Sequence, residues 1–475
     1  MKIAEYRESD GIGLADLIKR YEVSVREVTD AAMAAIETVN PALNALVEKY
    51  DDIYDETKLG DGPLRGVPFA IKDVGRQFKG RKSEAGSKLC EGYVAKENNN
   101  YATLVNASGL NLIGRTNVPE FSMALCADNF LHGTTSNPWK RGYSTSGSSG
   151  GAAAAVAAGI VPIAHASDVG GSTRGPAAWC GTVGLHPSRG RVSAGPQKGE
   201  HGFGMAQSFV LTRTIRDTAL MLDCLGKSMP GDPYVIAQPP MPYSQFLNRS
   251  KRRFRVGWSA SPLMDAPVDP EIAAAVERCA HMLNEHGCDV EEAQPPIDLA
   301  AMDQGCKNIW YFGFDSYLDE LGRLAGRKVG PDTVSRASLR FYEFAKKQTA
   351  DAFFKALDDF NIMRRAAAQY FENFDVWLSP TCAQVAQPNG IYGMDIDLPP
   401  DEFLQHEQRP CQFLVPYNIW GFPAISLPLA QHSNGLPIGI QLGTRHAEEH
   451  ALIELASLLE QVMPWCGRKP QLHTA

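Results

Sequence analysis

Residues 144–176, STSGSSGGAAAAVAAGIVPIAHASDVGGSTRGP, constrain this chain more than any other stretch. Two glycine–serine clusters, Gly147-Ser148-Ser149-Gly150-Gly151 and Val169-Gly170-Gly171-Ser172, flank an alanine-rich run and a short apolar run. Alanine is the strongest helix former, so 150–158 reads as a helix opened by the first cluster. Ile160 to Ala164 reads as a strand that leads to the second cluster. Glycines at such points let the backbone take positive φ and come close to a ligand, and the free N–H groups of a helix start or tight loop face developing negative charge. One such cluster alone reads as a turn. Two, joined by a helix–strand unit, form a cradle for an oxyanion.

The alternation continues on either side. Ser24 to Glu27 is a capping box ahead of Val28, Ala31, Ala32, Ala35 and Ile36 at helical spacing, with Pro41 as the stop. Strands are predicted at Val67 to Ile71, Leu112 to Ile113, Phe254 to Trp258, Val376 to Leu378, Ala424 to Leu429 and Ile438 to Leu442. Helices are predicted at Pro270 to His286 and through roughly 336–373. This is an α/β pattern. The turn-rich segment 225–250 could link two units, but the later elements do not repeat the first half, so a single domain over 1–475 is predicted. Its catalytic core spans about 60–225 and a variable, substrate-shaping region about 260–410.

Composition narrows the functional classes. Apolar residues make up 44% of the chain and charged residues 21%, enough to bury a sizeable core. A net charge of −8 leaves no basic footprint for nucleic acid, and the run Lys251 to Arg255 reads as the solvated start of a strand. The N-terminus has no apolar stretch of signal-peptide length, and no window approaches the roughly 20 apolar residues that span a bilayer, so a cytoplasmic protein without membrane partners is expected. Ten cysteines without a C-x-x-C pair predict buried, reduced thiols.

A serine hydroxyl must pass its proton to a base as it attacks a carbonyl. The sequence offers one in Gly66-Val67-Pro68-Phe69-Ala70-Ile71-Lys72-Asp73, where a lysine ends an otherwise apolar strand. Burial would press such a lysine toward its neutral, proton-accepting form. The ordinary alternative is a lysine that reaches solvent or pairs with Asp73.

At this point the residues resemble a known family. The Lys72 strand, the GSSGG cluster and DVGGSTRGPAA look like the amidase signature enzymes, with Ser148 and Ser172 24 positions apart. The resemblance extends to Gly114 through Phe121, Asn137-Pro138-Trp139, Gly184 through Gly190, Asn418 through Ile425, and Gly435 through Gln441. It implies a large mixed twisted sheet flanked by helices on both faces. It also implies Ser172 as nucleophile, Ser148 as proton relay and Lys72 as base, with a cis peptide from Gly147 into Ser148. The oxyanion hole would come from the backbone of Val169, Gly170, Gly171 and Ser172, and Ser149, Asp168 and Arg174 would fix the loops. No metal or other cofactor is implied. Two departures, Gly175 and His186, are expected to bear on substrate shape rather than on the chemistry.

The resemblance implies an amidohydrolase cleaving a C–N acyl bond of a small, largely apolar amide, cyclic amide, anilide or carbamate. Within the family the sequence is most similar to hydrolases of nylon-type oligomers. Met123, Ala124 and Cys126 are expected to line the pocket, closed by Cys306 and Trp310 and also by Tyr311. The partner is then a small-molecule amide, with a homodimer left open. An amidotransferase-type subunit that feeds ammonia to a partner, and a non-catalytic member of the fold, are the alternatives. Three other patterns carry less weight. Gly147 to Gly151 satisfies the G-x-S-x-G elbow but lacks a strong preceding strand. His446 to His450 matches H-x-x-E-H at the start of a helix, where an exposed His/Glu-rich face is the simpler reading. Gly226-Lys227-Ser228 resembles the end of a P-loop without its first glycine.

Overall fold

The computed structural model describes residues 1–74, 78–249 and 252–474; Lys251 of the basic run falls outside them. In chain order the strands are β1 (Leu46–Lys49), β2 (Pro68–Lys72), β3 (Asn111–Thr116), β4 (Asp128–Asn129), β5 (Gly133–Thr134), β6 (Ile163–Asp168), β7 (Val183–His186), β8 (Gln207–Thr212), β9 (Arg255–Trp258), β10 (Asp289–Glu292), β11 (Val376–Pro380), β12 (Ala424–Gln431) and β13 (Pro437–Gly443). β4 and β5 pair with each other, and the other eleven form one sheet in the order β1-β3-β2-β6-β8-β7-β12-β13-β11-β9-β10. The sheet is mixed: β2 runs parallel to β3 and β6, whereas β8 is antiparallel to β6 and β7. Helices surround it.

The centre of the sheet reads as apolar because both faces are covered. All five residues of β2 are buried, and the helix Gly150–Ala157 packs against β6 through alanines that let backbone approach backbone. β6 begins three residues later than the apolar run suggests and continues through His165, Ser167 and Asp168. Gly159, at φ +80°, turns the chain before Pro162, and the strand's polar second half is what faces the site. Hydropathy alone cannot reveal a buried strand whose side chains are polar for chemical reasons.

The N-terminal helix Val25–Leu43 opens on its capping box: the Ser24 N–H donates to the Glu27 carboxylate at 2.8 Å and the Glu27 N–H to Ser24 Oγ at 3.1 Å. It does not stop at Pro41. In the last turn the missing N–H removes a single helical bond, and Asn44, left-handed at φ 53°, closes the end by donating to the Asn40 carbonyl at 2.7 Å. The helical middle is two helices, Arg336–Ala345 and Ala350–Asn373, and two more, Leu299–Trp310 and Phe314–Ala325, precede them. Nine of the ten cysteines are buried free thiols, and Cys466 is exposed. Among the described residues no helix is long and apolar enough to cross a membrane.

Candidate active site

β2 delivers Lys72 to the centre of the fold, where its side chain is 1% exposed. Nζ donates to Ser148 Oγ at 2.7 Å and to Ser167 Oγ, on the adjacent β6, at 2.9 Å. Burial pushes the amine down to about 7, against an opposing pull from the Asp168 carboxylate. The shift makes the Lys72 amine easier to deprotonate than an ordinary lysine.

Ser148 is buried, and the peptide that joins it to Gly147 is cis. Gly147 has no room for a side chain: a Cβ would lie 2.2 Å from the carbonyl oxygens of both Ala124 and Cys126. The next residue ties the two glycine–serine clusters together, because the Ser149 N–H donates to the Ser172 carbonyl at 3.2 Å. Ser149 Oγ also lies 3.3 Å from both the carbonyl and the N–H of Ser167.

The second cluster is held from beneath by Asp168. Its carboxylate accepts the N–H of Gly171 at 2.7 Å and of Thr173 at 3.2 Å, and the guanidinium of Arg174 at 2.9 Å. Burial alone would raise the Asp168 carboxyl, but the Arg174 charge outweighs it and holds the group well below the usual carboxylate range. Arg174 is itself fully buried and spends its remaining donors on the Leu414 carbonyl at 3.0 Å, Gln441 Oε1 at 2.8 Å and Asn418 Oδ1 at 2.7 Å. Asn418 closes the ring by donating to Asp168 at 2.9 Å. Gly171, at φ +120°, takes a conformation that favours glycine, and a Cβ there would strike Leu414 at 2.3 Å. Ser172 sits on this clamped loop and, unlike Ser148, is half-buried.

A family model described as Amidase matches residues 17–453. The chain belongs to the amidase family. This amidase is 32% identical to the 6-aminohexanoate-cyclic-dimer hydrolase of Paenarthrobacter ureafaciens, over 98% of its own length and 96% of that protein's. A solved structure of 6-aminohexanoate cyclic dimer hydrolase complexed with substrate matches it with a TM-score of 0.93 at 32% identity, covering 98% of this amidase and 99% of that chain. An acylamidase of Rhodococcus erythropolis is 31% identical over 96% of each chain. The amidase is thus a hydrolase of carbon–nitrogen bonds, and its eleven-stranded mixed sheet is the amidase signature fold.

The remaining residues singled out in the sequence fall in different places. Trp310 ends the helix Leu299–Trp310 against the second cluster, where its ring leaves only 2.5 Å to a Cβ on Gly170. Met123 is half-buried, and Ala124 and Cys126 lie in an apolar cluster with Phe121, Tyr311 and Phe314. Cys306 is enclosed with Met302, Phe360 and Met363 where the helices Leu299–Trp310 and Ala350–Asn373 pack together, in the apolar cluster that Trp310 also borders. Of the amides expected to form the oxyanion hole, Gly171's N–H is occupied by Asp168, a consequence of the loop's own clamp. His186 is buried near the Asp168–Arg174 pair, and burial pushes it down to about 4.

Three polar residues of the site carried no role in the sequence: Ser167, Asn418 and Gln441. Ser167 directly precedes Asp168, and the other two stand in segments whose resemblance was visible but whose contacts with Arg174 span the chain. In the H-x-x-E-H stretch Glu449 is fully buried, not exposed, and pairs with Arg191 at 2.9 Å. Among the described residues the one group of potential metal ligands is Asp73, Glu84 and His132. Arg115 already fills it with cation, 2.8 Å from Asp73 and 2.5 Å from Glu84. Gly226 caps the end of the helix Ile215–Leu225 rather than opening a helix, the wrong end for phosphate.

Proposed function

We propose that this amidase cleaves its substrate through an acyl-enzyme on Ser172, with Ser148 as proton relay and Lys72 as base. The observation that carries the proposal is the 2.7 Å contact between Ser148 and a buried Lys72 whose amine burial pushes down to about 7, one residue from the backbone link to Ser172. As Ser172 Oγ bonds to the acyl carbon, its proton passes to Ser148 and the Ser148 proton to Lys72 Nζ. Collapse of the tetrahedral adduct breaks the C–N bond, and the proton returns from Lys72 through Ser148 to the leaving nitrogen. Water then repeats the path, with Lys72 drawing its proton through Ser148, and frees the carboxylic acid.

The oxyanion would be met by the N–H groups of Val169, Gly170 and Ser172. Gly171 serves a different purpose in this scheme, since its N–H fastens the loop to Asp168. Arg174 and Asp168 hold the loop in place, and Ser149 couples it to Ser148.

Ala124, Cys126, Met123 and Trp310, apolar residues near Gly147 and Gly170, favour a small, largely apolar amide. Cyclic or linear amides of aminohexanoate type are the first substrates to test, in view of the relatives' names, with anilides and carbamates next. The test is a panel of a cyclic amide dimer, an aryl anilide, an aryl carbamate and a primary amide, followed by mass spectrometry with wild type and Ser172→Ala. Cleavage by wild type that disappears in the variant is the expected result; cleavage that survives it would overturn the proposal.

A further inference from the structure

A group of aromatic side chains outside the triad borders the reactive loop. Phe203 occupies a short turn whose neighbour, Gly202, approaches Val169: a Cβ on Gly202 would be 3.3 Å from Val169 Cγ1. The Phe203 ring packs on Phe353 at 4.7 Å and on Phe312 at 6.1 Å, and Phe312 stacks on Phe353 at 4.2 Å with an interplanar angle of 14°. Phe312 lies two residues beyond Trp310, the ring that covers Gly170. Val169, Trp310 and Phe312 all pack against one apolar cluster that contains Phe353, and Phe203 packs on the rings of Phe312 and Phe353.

Phe203 is unusual in two respects. It is 41% exposed although its ring packs on two other aromatic rings, and it is held at φ 54°, ψ 38°, where a bulky residue rarely sits. Neither feature contributes to burying the ring. Strained, exposed residues of this kind concentrate where a ligand completes the packing.

We propose that Phe203, Phe312 and Phe353 form a wall that receives the acyl arm of the substrate, so that this enzyme prefers amides of aliphatic or aryl acids with a long apolar arm over acetamides. The inference rests on the acyl-enzyme reading for its direction. The leaving nitrogen must face Ser148 to collect its proton, so the acyl arm runs the other way, across Gly170 and Trp310 toward Val169 and the aromatic wall. A chain of about five methylenes would cover the exposed face of Phe203 and lose water from both surfaces.

Binding tests the wall without relying on turnover. In the Ser172→Ala background, para-nitroacetanilide and para-nitrohexananilide are titrated calorimetrically, with and without Phe203→Ser and Phe203→Leu. The expected result is a preference of about tenfold or more for the hexanoyl compound, lost in Phe203→Ser and largely restored in Phe203→Leu. No preference to begin with, or one that Phe203→Ser leaves intact, would overturn the wall. Turnover of a cleaved amide by the enzyme with and without Ser172→Ala reports on the chemistry separately: a binding preference that responds to Phe203 while Ser172→Ala still turns over the amide would retain the wall and reject the acyl-enzyme reading.

Discussion

Lys72 Nζ and Ser148 Oγ lie 2.7 Å apart across 76 positions of sequence, and both groups are buried. Burial pushes the amine down to about 7, whereas a lysine at its ordinary 10.5 would hold its proton. The first expectation follows from that shift. With neutral Lys72 as base, kcat/KM should rise about tenfold per pH unit below about 7 and level off above it, as a pH–rate profile will show. Lys72→Ala should lower kcat by several orders of magnitude with the fold retained.

The same burial has a cost in stability. The folded-state pKa of Lys72 is depressed below its unfolded value, so the penalty is complete below pH 7 and fades as pH rises toward 10.5. Replacing the amine with an apolar side chain of similar length removes it. Lys72→Met should therefore be inactive yet more stable near neutral pH, by at most about 4–5 kcal/mol, in denaturant unfolding monitored at pH 7 and pH 10. The difference between wild type and variant should narrow at the higher pH.

The Asp168–Arg174 clamp should behave as a buried ion pair. Arg174→Ala leaves Asp168, Asn418 and Gln441 without their central donor and should cost about 3–5 kcal/mol in unfolding experiments. Arg174→Lys should recover little, since an ammonium cannot reach Asp168, Leu414, Gln441 and Asn418 together.

Ser167 should show itself in the pH profile. Its hydroxyl accepts from Lys72 at 2.9 Å and so favours the charged amine. Ser167→Ala should move the acid limb to lower pH while reducing kcat, because the lysine loses both a stabilising acceptor and one of its two anchors.

Much of this site could be read in the sequence, for a local reason. The two glycine–serine clusters need close backbone approach and positive φ at fixed positions, Gly147 against Ala124 and Cys126 and Gly171 against Leu414, so the motif is legible in the residues themselves. Lys72 was visible as a charge at the end of an apolar strand. The partners of Arg174 were not, because Leu414, Gln441 and Asn418 come from far along the chain and their roles exist only after folding. The polar second half of β6 escapes a reading by hydropathy, and its start follows the turn at Gly159 rather than the apolar run; the burial of Cys306 among Met302, Phe360 and Met363 depends on how two helices pack, which the spacing of one helix does not give.

Trp310 and Gly170 provide a steric test of the reactive loop. Gly170 does not sit at positive φ, so Gly170→Ala strains no backbone; the new methyl meets the Trp310 ring at 2.5 Å. The variant should fold and lose activity through displacement of the loop or the ring, and Gly170→Ala combined with Trp310→Leu should regain part of kcat. Steady-state kinetics of the two single variants and the double variant form the cycle that checks it.

The most direct measurement is intact-protein mass spectrometry of the enzyme quenched during turnover of a slow aryl anilide, followed by peptide mapping. The expected result is an acyl adduct on Ser172 that is absent from Ser172→Ala. Undiminished turnover by Ser172→Ala, or an adduct on Ser149 instead, would contradict the assignment of the nucleophile.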